Sequence, residues 1–284
     1  MEESKERIIK MVDKMPAFPK SVHRILELTS DINCDPKALV QVIEHDPVLI
    51  VRILNVVNSA AFGLSRKITS INHAVVYVGL NTVKNLALST ATIGMLPRKN
   101  KAGFNMDHFL MHSLSTAAIS RVLARRQGIG ETELFDYFLA GLLHDIGKIV
   151  FAQFVPMKFK DALMLAEEQS IHLHKAEKEV FNANHAQVGA LLTERWQLPD
   201  NIVNSIANHH SAHKNSDKRT LIDDCLFVAN QISKELNYGF GGEKIVDEMT
   251  DAMIERFGMD LKQIIASLGD ISNEIEKNRI FIKV

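Results

Sequence analysis

Two cysteines, one tryptophan and three tyrosines are few for a chain of 284 residues. Cys34 and Cys225 lie far apart, with no metal-type spacing between them. They read as free thiols in a reducing compartment, there for packing rather than chemistry. Charge of one sign is also lacking: 33 Lys and Arg balance 34 Asp and Glu, for a net charge of −1. That removes any global argument for nucleic acid or an anionic membrane, leaving only a local basic patch open. The opening Met-Glu-Glu-Ser-Lys-Glu-Arg is charged and has no apolar core behind it, so it is no signal peptide. No uninterrupted apolar run is long enough to span a bilayer. The expectation is a soluble, cytoplasmic chain. Alternating strand patterns are scarce, and neither an internal repeat nor a low-complexity segment is visible.

Helix signals fill the space. Asp35-Pro36 and Asp46-Pro47 each read as an N-cap with proline at the first helical position. Ser70 and Asn81 look like further caps, and Gly79 like a stop between two short helices. Residues 62–69 leave room for a short hairpin. Pro97-Arg-Lys-Asn-Lys-Ala-Gly103 is the clearest break, a basic run between proline and glycine. Beyond it the apolar spacing predicts helices at about 107–127, 131–146, 156–169, 172–182, 184–197, 199–209, 220–236, 243–257 and 260–278. The fold class is therefore all-α. It divides into an N-terminal subdomain of about five short helices (1–96), a linker (97–103), a second helical subdomain (104–240) and a C-terminal helical extension (241–284).

Nine of the twelve histidines fall between His108 and His213. Within that span, Gly141-Leu-Leu-His-Asp-Ile-Gly-Lys-Ile-Val150 sets His144 beside Asp145 at the end of an apolar run. Adjacent helical residues point about 100° apart, so both meet one centre only where the helix ends or bends. Gly147 is read as that ending. A buried carboxylate needs a partner, and imidazole with carboxylate is a common metal set. The other candidates are His112, His185, His209 and His210, each in or at the end of a predicted helix. Taken alone, His112 reads as a satisfied buried histidine. His185 reads alone as the first turn of an amphipathic helix, and His209-His210 as cations at a helix C-terminus. Together the six favour a metal ion, because helical bundles build such sites from several helices. Asn55 and Asn58 share one face of an otherwise apolar helix, either bonding a neighbouring loop or forming a recognition face.

The order His112, His144-Asp145, His185, His209-His210 resembles the HD metal-dependent phosphohydrolase superfamily. In that resemblance the aspartate bridges two metals where two are bound. The family's last ligand is an aspartate on a late helix, where this sequence has Asn230 in Phe227-Val-Ala-Asn-Gln-Ile232. Asn230 would be a weak ligand, and Asp223 and Asp224 lie too early to replace it. Met15-Pro-Ala-Phe-Pro19, Ile43-Glu-His-Asp-Pro-Val-Leu49, Arg52 to Gly63, Ile71 to Leu80, Phe181 to Gly189 and Trp196-Gln-Leu-Pro199 are similar to the HD-related output domain family, from about residue 10 to about 240. Its members are bacterial signal-transduction modules, and many have lost the HD catalytic residues. The related cyclic di-GMP phosphodiesterases follow the paired histidines with Gly-Tyr-Pro. Here Ser-Ala-His-Lys-Asn-Ser follows His210.

The resemblance implies a metal-binding, non-catalytic output module holding one or two divalent ions of iron, manganese, zinc or nickel. It also implies a signalling protein partner, with the input supplied by another polypeptide. The alternative is a metal-dependent phosphohydrolase acting on a nucleotide or cyclic dinucleotide. There, Lys148 would contact phosphate; otherwise Lys148 is a lysine just past a helix end. A helical scaffold with purely structural histidines is the third reading. Nothing in the sequence fixes the oligomeric state.

Overall fold

The computed structural model describes residues 2–17, 20–29, 35–59, 64, 66–97, 99–131, 133–211, 219–269, 271 and 275. Among them are sixteen helices and no strand, so the chain is all-α. Two compact units form. The larger takes Met1–Met15, Pro97–Ile129 and Asp136–Ile271; the smaller includes Pro16–Leu96 and Gly130–Phe135.

The larger unit contains α1 (Glu2–Asp13), separated in sequence from the rest. Five helices follow in the smaller unit: α2 (Lys20–Thr29), α3 (Pro36–Glu44), α4 (Pro47–Val57), α5 (Ile71–Val78) and α6 (Leu80–Met95). The caps explain their starts. Asp35 accepts from the Lys37 amide at 2.9 Å, and Asp46 from the Leu49 amide at 3.0 Å. Ser70 caps α5 through the His73 amide at 3.2 Å. Asn81 is not a cap but a residue of α6, which begins at Leu80 directly after Gly79. Asn58 takes the bland role. Its Nδ2 donates to the Leu54 and Ile68 carbonyls, at 2.8 and 2.7 Å, and its Oδ1 accepts from the Ile68 amide at 2.6 Å. It therefore pins the segment after α4. Part of the 62–69 hairpin expectation, and Cys34, lie outside the described residues.

The remaining helices of the larger unit are α7 (Met106–Arg126), α8 (Leu134–Leu143), α9 (Ile146–Phe154), α10 (Pro156–Glu168), α11 (Leu173–Phe181), α12 (His185–Arg195), α13 (Asp200–Asn208), α14 (Leu221–Glu235), α15 (Asp251–Phe257) and α16 (Leu261–Leu268). The first two residues of α8 belong to the smaller unit. Helix α7 packs along α14, and α12 lies between α9 and α13. Helix α1, expected with the N-terminal subdomain, packs instead on α9 and α12. Ile8, Met11 and Val12 are buried there, and Arg195 donates to the Val12, Met15 and Asp13 carbonyls at 2.9 Å each. One guanidinium thus ties together the carbonyls at and just past the C-terminal end of α1.

Three helix expectations change. The predicted 260–278 helix stops at Leu268, where Gly269 takes a φ of +64°. The predicted 131–146 helix stops at Leu143, and a new helix begins at Ile146, so Gly147 lies inside α9 rather than ending α8. The predicted 243–257 helix starts only at Asp251. Residues 243–250 are held out of it by side chains of α14: Lys234 Nζ donates to the Ile245 carbonyl at 3.1 Å, and Gln231 accepts from the Asp247 amide at 2.9 Å. Cys225 is buried on α14, and burial pushes its thiol far above the ordinary range, which fits a packing role.

Candidate metal centre

Close approach of helices sets the centre. Gly147 on α9 faces α12 so tightly that a Cβ there would overlap the His185 carbonyl oxygen and lie 2.8 Å from the Gly189 amide. That contact lets α9 and α12 meet backbone to backbone. It carries Asp145, in the break before α9, against His185 at the start of α12.

Six of the seven candidate residues converge. His112 comes from the middle of α7, His144 and Asp145 from the α8–α9 break, His185 from α12, and His209 and His210 from just after α13. The Asp145 carboxylate divides them. Its Oδ2 lies 3.3 Å from His144 Nε2 and 3.7 Å from His112 Nε2. Its Oδ1 lies 3.1 Å from His185 Nε2 and 3.7 Å from His209 Nε2. His210 Nε2 is 2.8 Å from His185 Nε2. The donor atoms of His112, His144 and Asp145 form one compact group, and those of Asp145, His185, His209 and His210 a second. All are buried except the partly exposed His210.

The tautomers suit a cation. His144 Nδ1 bonds the Gly141 carbonyl at 2.8 Å, and His209 Nδ1 the Ile206 carbonyl at 2.7 Å. His185 Nδ1 bonds Glu177 Oε2 at 2.6 Å, and the same oxygen accepts from the His185 amide at 2.8 Å. In His144 and His209, donation from Nδ1 turns an unprotonated Nε2 to the centre, the usual support for a ligating histidine. The Nε2 atoms of His112, His144 and His209, with Asp145 Oδ1, are buried without a hydrogen-bond partner. Such atoms are costly unless something satisfies them. Three orphaned imidazole nitrogens around one carboxylate fit a divalent transition metal.

Burial pushes His209 down to about 3 and holds His112 and His210 well below the ordinary histidine range. All three rings are thus neutral at neutral pH, and the Nε2 atoms of His112 and His209 are unpartnered. Burial alone would raise Asp145, but His144 and Lys148 outweigh it and keep the carboxylate ionised. Burial would likewise lower His185, yet Glu177 and Asp145 hold it above the ordinary value.

Lys148 does not stand past a helix end. It lies in the first turn of α9, where the dipole disfavours a cation, and is buried. Its Nζ donates to Asp145 Oδ2 and to the Gly241 carbonyl, each at 2.7 Å. The carboxylate is what keeps it there. Asn230 is buried on α14 with its Oδ1 unpartnered, so an amide oxygen is the donor it offers. Asp223 and Asp224 are engaged elsewhere: Asp223 closes a capping box with Thr220, and Asp224 pairs with Arg219 at 2.7 Å and with Arg256.

Three neighbours of the centre carry no signal in the local pattern of residues. Glu177 sits in a run of charged residues on α11 that looks like a solvated face, yet it is fully buried beneath His185. His174 stacks on His210, ring centroids 4.2 Å apart. Gly241 touches the centre directly: a Cβ there would lie 2.9 Å from His112 Cδ2 and 3.0 Å from Asp145 Oδ2.

Beside the centre, Glu243 accepts from the Leu173 amide and from Lys234 Nζ, each at 2.5 Å. His172 bridges Glu243 (3.4 Å) and Asp247 (3.1 Å). Hydrogen bonds to Asp247 and then Glu243 raise His172 to about 9. A raised folded-state pKa adds stability that is complete below the unfolded value of about 6.5 and is lost as pH rises through about 9. Wild-type protein should therefore lose about 1–2 kcal/mol between pH 6.5 and 9.5, after screening of a half-buried group. Denaturant melts of wild type and His172→Asn across that range check this. Parallel pH profiles for the two proteins would remove His172 as the source.

The HDOD domain family matches residues 15–212, and the chain belongs to that family. An uncharacterized protein of Treponema pallidum is 26% identical over 253 residues, covering 89% of this chain and 48% of its own length. The chain thus spans about half, or less, of the length of the curated relatives it matches. An HDOD domain protein of unknown function from Geobacter sulfurreducens is 27% identical, with a TM-score of 0.80 over 98% of this chain and 97% of that one. A Shewanella amazonensis protein provisionally named a phosphohydrolase is 25% identical, with a TM-score of 0.75 over 97% of each chain. No helix among the described residues is long and apolar enough to cross a membrane.

Proposed function

We propose that the chain is a metal-stapled regulatory module of the HDOD type, acting by contact with a signalling protein rather than by catalysis. The carrying observation is the set of orphaned imidazole nitrogens around Asp145, drawn from α7, the α8–α9 break and the end of α13, with His185 of α12 beside them. An ion held by His112, His144, Asp145, His185, His209 and His210, with Asn230 as a weak further donor, would tie four parts of the unit together. Its binding free energy would add to folding free energy. Iron, manganese, zinc and nickel all suit mixed imidazole and carboxylate ligation, as one ion or two. An amide at position 230 and the lack of Gly-Tyr-Pro after His210 argue against a working hydrolase. So does the Gly241 backbone seated on His112 and Asp145. Metal analysis by plasma mass spectrometry, on protein purified without a histidine tag or added metal, is expected to find about one or two ions per chain. A folded protein that holds no metal and takes up none would sink the staple.

One observation favours a second reading, a phosphohydrolase acting on a nucleotide or cyclic dinucleotide. The two Asp145 oxygens serve two separate ligand groups, the arrangement a paired-ion centre needs. A divalent pair would supply water activation and charge stabilisation, and Lys148, beside Asp145, would be the cation to orient a phosphate. A panel of nucleotides and cyclic dinucleotides with metal-loaded protein separates the readings. Turnover abolished by His144→Ala would support the enzyme; no turnover with several metals supports the module.

A further inference from the structure

The segment Tyr238-Gly-Phe-Gly-Gly-Glu243 lies beyond the residues matched to the family, yet it closes one side of the centre. Its Tyr238 amide donates to the Ser233 carbonyl at 2.9 Å, and three further ties hold it. The Phe240 amide donates to the His108 carbonyl at 2.9 Å, Lys148 holds the Gly241 carbonyl, and Glu243 is gripped by Lys234 and the Leu173 amide. Glycine is required by proximity. A Cβ on Gly239, where φ is +75°, would overlap the His108 carbonyl, and one on Gly241 would press on His112 and Asp145. The outer side of the same segment faces empty space. A cavity of about 580 Å³ is lined by Phe104, Leu163, Ile171, Phe240, Gly242 and Glu243.

A strap tied by polar contacts, tight against the centre on one side and against a cavity on the other, has somewhere to go. We propose that residues 238–243 form a displaceable cover over the His112 edge of the centre, latched by Glu243 and Lys148. Closed, it shuts out anything larger than water or an ion from that edge. Displaced into the cavity, it frees Lys148 from the Gly241 carbonyl and bares His112 and the Asp145 Oδ2. The proposal rests on the reading of this group as the functional centre. Its test, however, reads histidine access and needs no bound metal, so failure of the cover and failure of the metal site are told apart.

Diethyl pyrocarbonate modification of the metal-free full chain, mapped by mass spectrometry, compares His112 with the partly exposed His210 and the exposed His45 as internal references. In wild type, His112 is expected to react at least tenfold more slowly than His210. Glu243→Gln and Gly241→Ala should each speed His112 at least tenfold while His45 stays unchanged. A wild-type His112 that reacts as fast as His210 overturns the cover. So does protection unchanged in both folded variants. Should either variant fail to fold, hydrogen exchange on wild type decides. The peptide over 238–246 should exchange at least a hundredfold faster than the core of α14. Exchange of that peptide only on global unfolding defeats the proposal.

Discussion

Asp145→Ala should cost the metal-free protein about 3–5 kcal/mol, because it strands the buried Lys148 ammonium without its counter-ion. Removing one partner of a buried pair is far more costly than never having had the pair. The second variant isolates that cause: Asp145→Ala with Lys148→Met should recover a large part of the loss. Denaturant melts in excess chelator measure both. A single variant as stable as wild type would show that the lysine finds other solvation and that the pair does not organise the core. Metal uptake by Asp145→Ala should fall to background, since both ligand groups share this carboxylate. Full metal content in the variant would put the centre elsewhere.

Gly147→Ala should be nearly as damaging, though it adds only one methyl. The new carbon would collide with the His185 carbonyl and crowd the Gly189 amide, both backbone atoms that cannot rotate away. Forcing α9 and α12 apart is expected to cost about 2–3 kcal/mol and lower Tm by about 5–10 °C. It should also draw His185 away from Asp145, so metal affinity drops more than it does in a helix-surface control such as Glu179→Ala. A variant with wild-type Tm would mean that the two helices slide without penalty.

The helical class, the caps at Asp35, Asp46 and Ser70, and the histidines that meet at Asp145 were legible because they depend on local pattern or on order along the chain. The rest depends on contacts between distant residues. Gly147 reads from sequence as a helix stop. Its partner is a carbonyl 38 residues on, and only the packing of α12 shows that it is a spacing residue. Lys148 reads as a dipole-favoured cation or a phosphate contact, because its second partner, the Gly241 carbonyl, lies 93 residues away. Glu177 hides among solvated charges. The non-helical stretch at 243–250 defeats a helical pattern because Lys234 and Gln231 claim its backbone groups.

The guanidinium of Arg195 closes over the end of α1 from 180 or more residues downstream. During synthesis, at about 5–20 residues per second, that helix would leave the ribosome roughly 10–35 s before its clasp exists. Until α9 and α12 are made, Ile8, Met11 and Val12 lack the surfaces they cover in the folded unit, while α2 to α6 already have one another. Helix α1 is thus made well before it can be seated, and a nascent chain halted before α12 presents its apolar stripe to whatever chaperone waits at the exit.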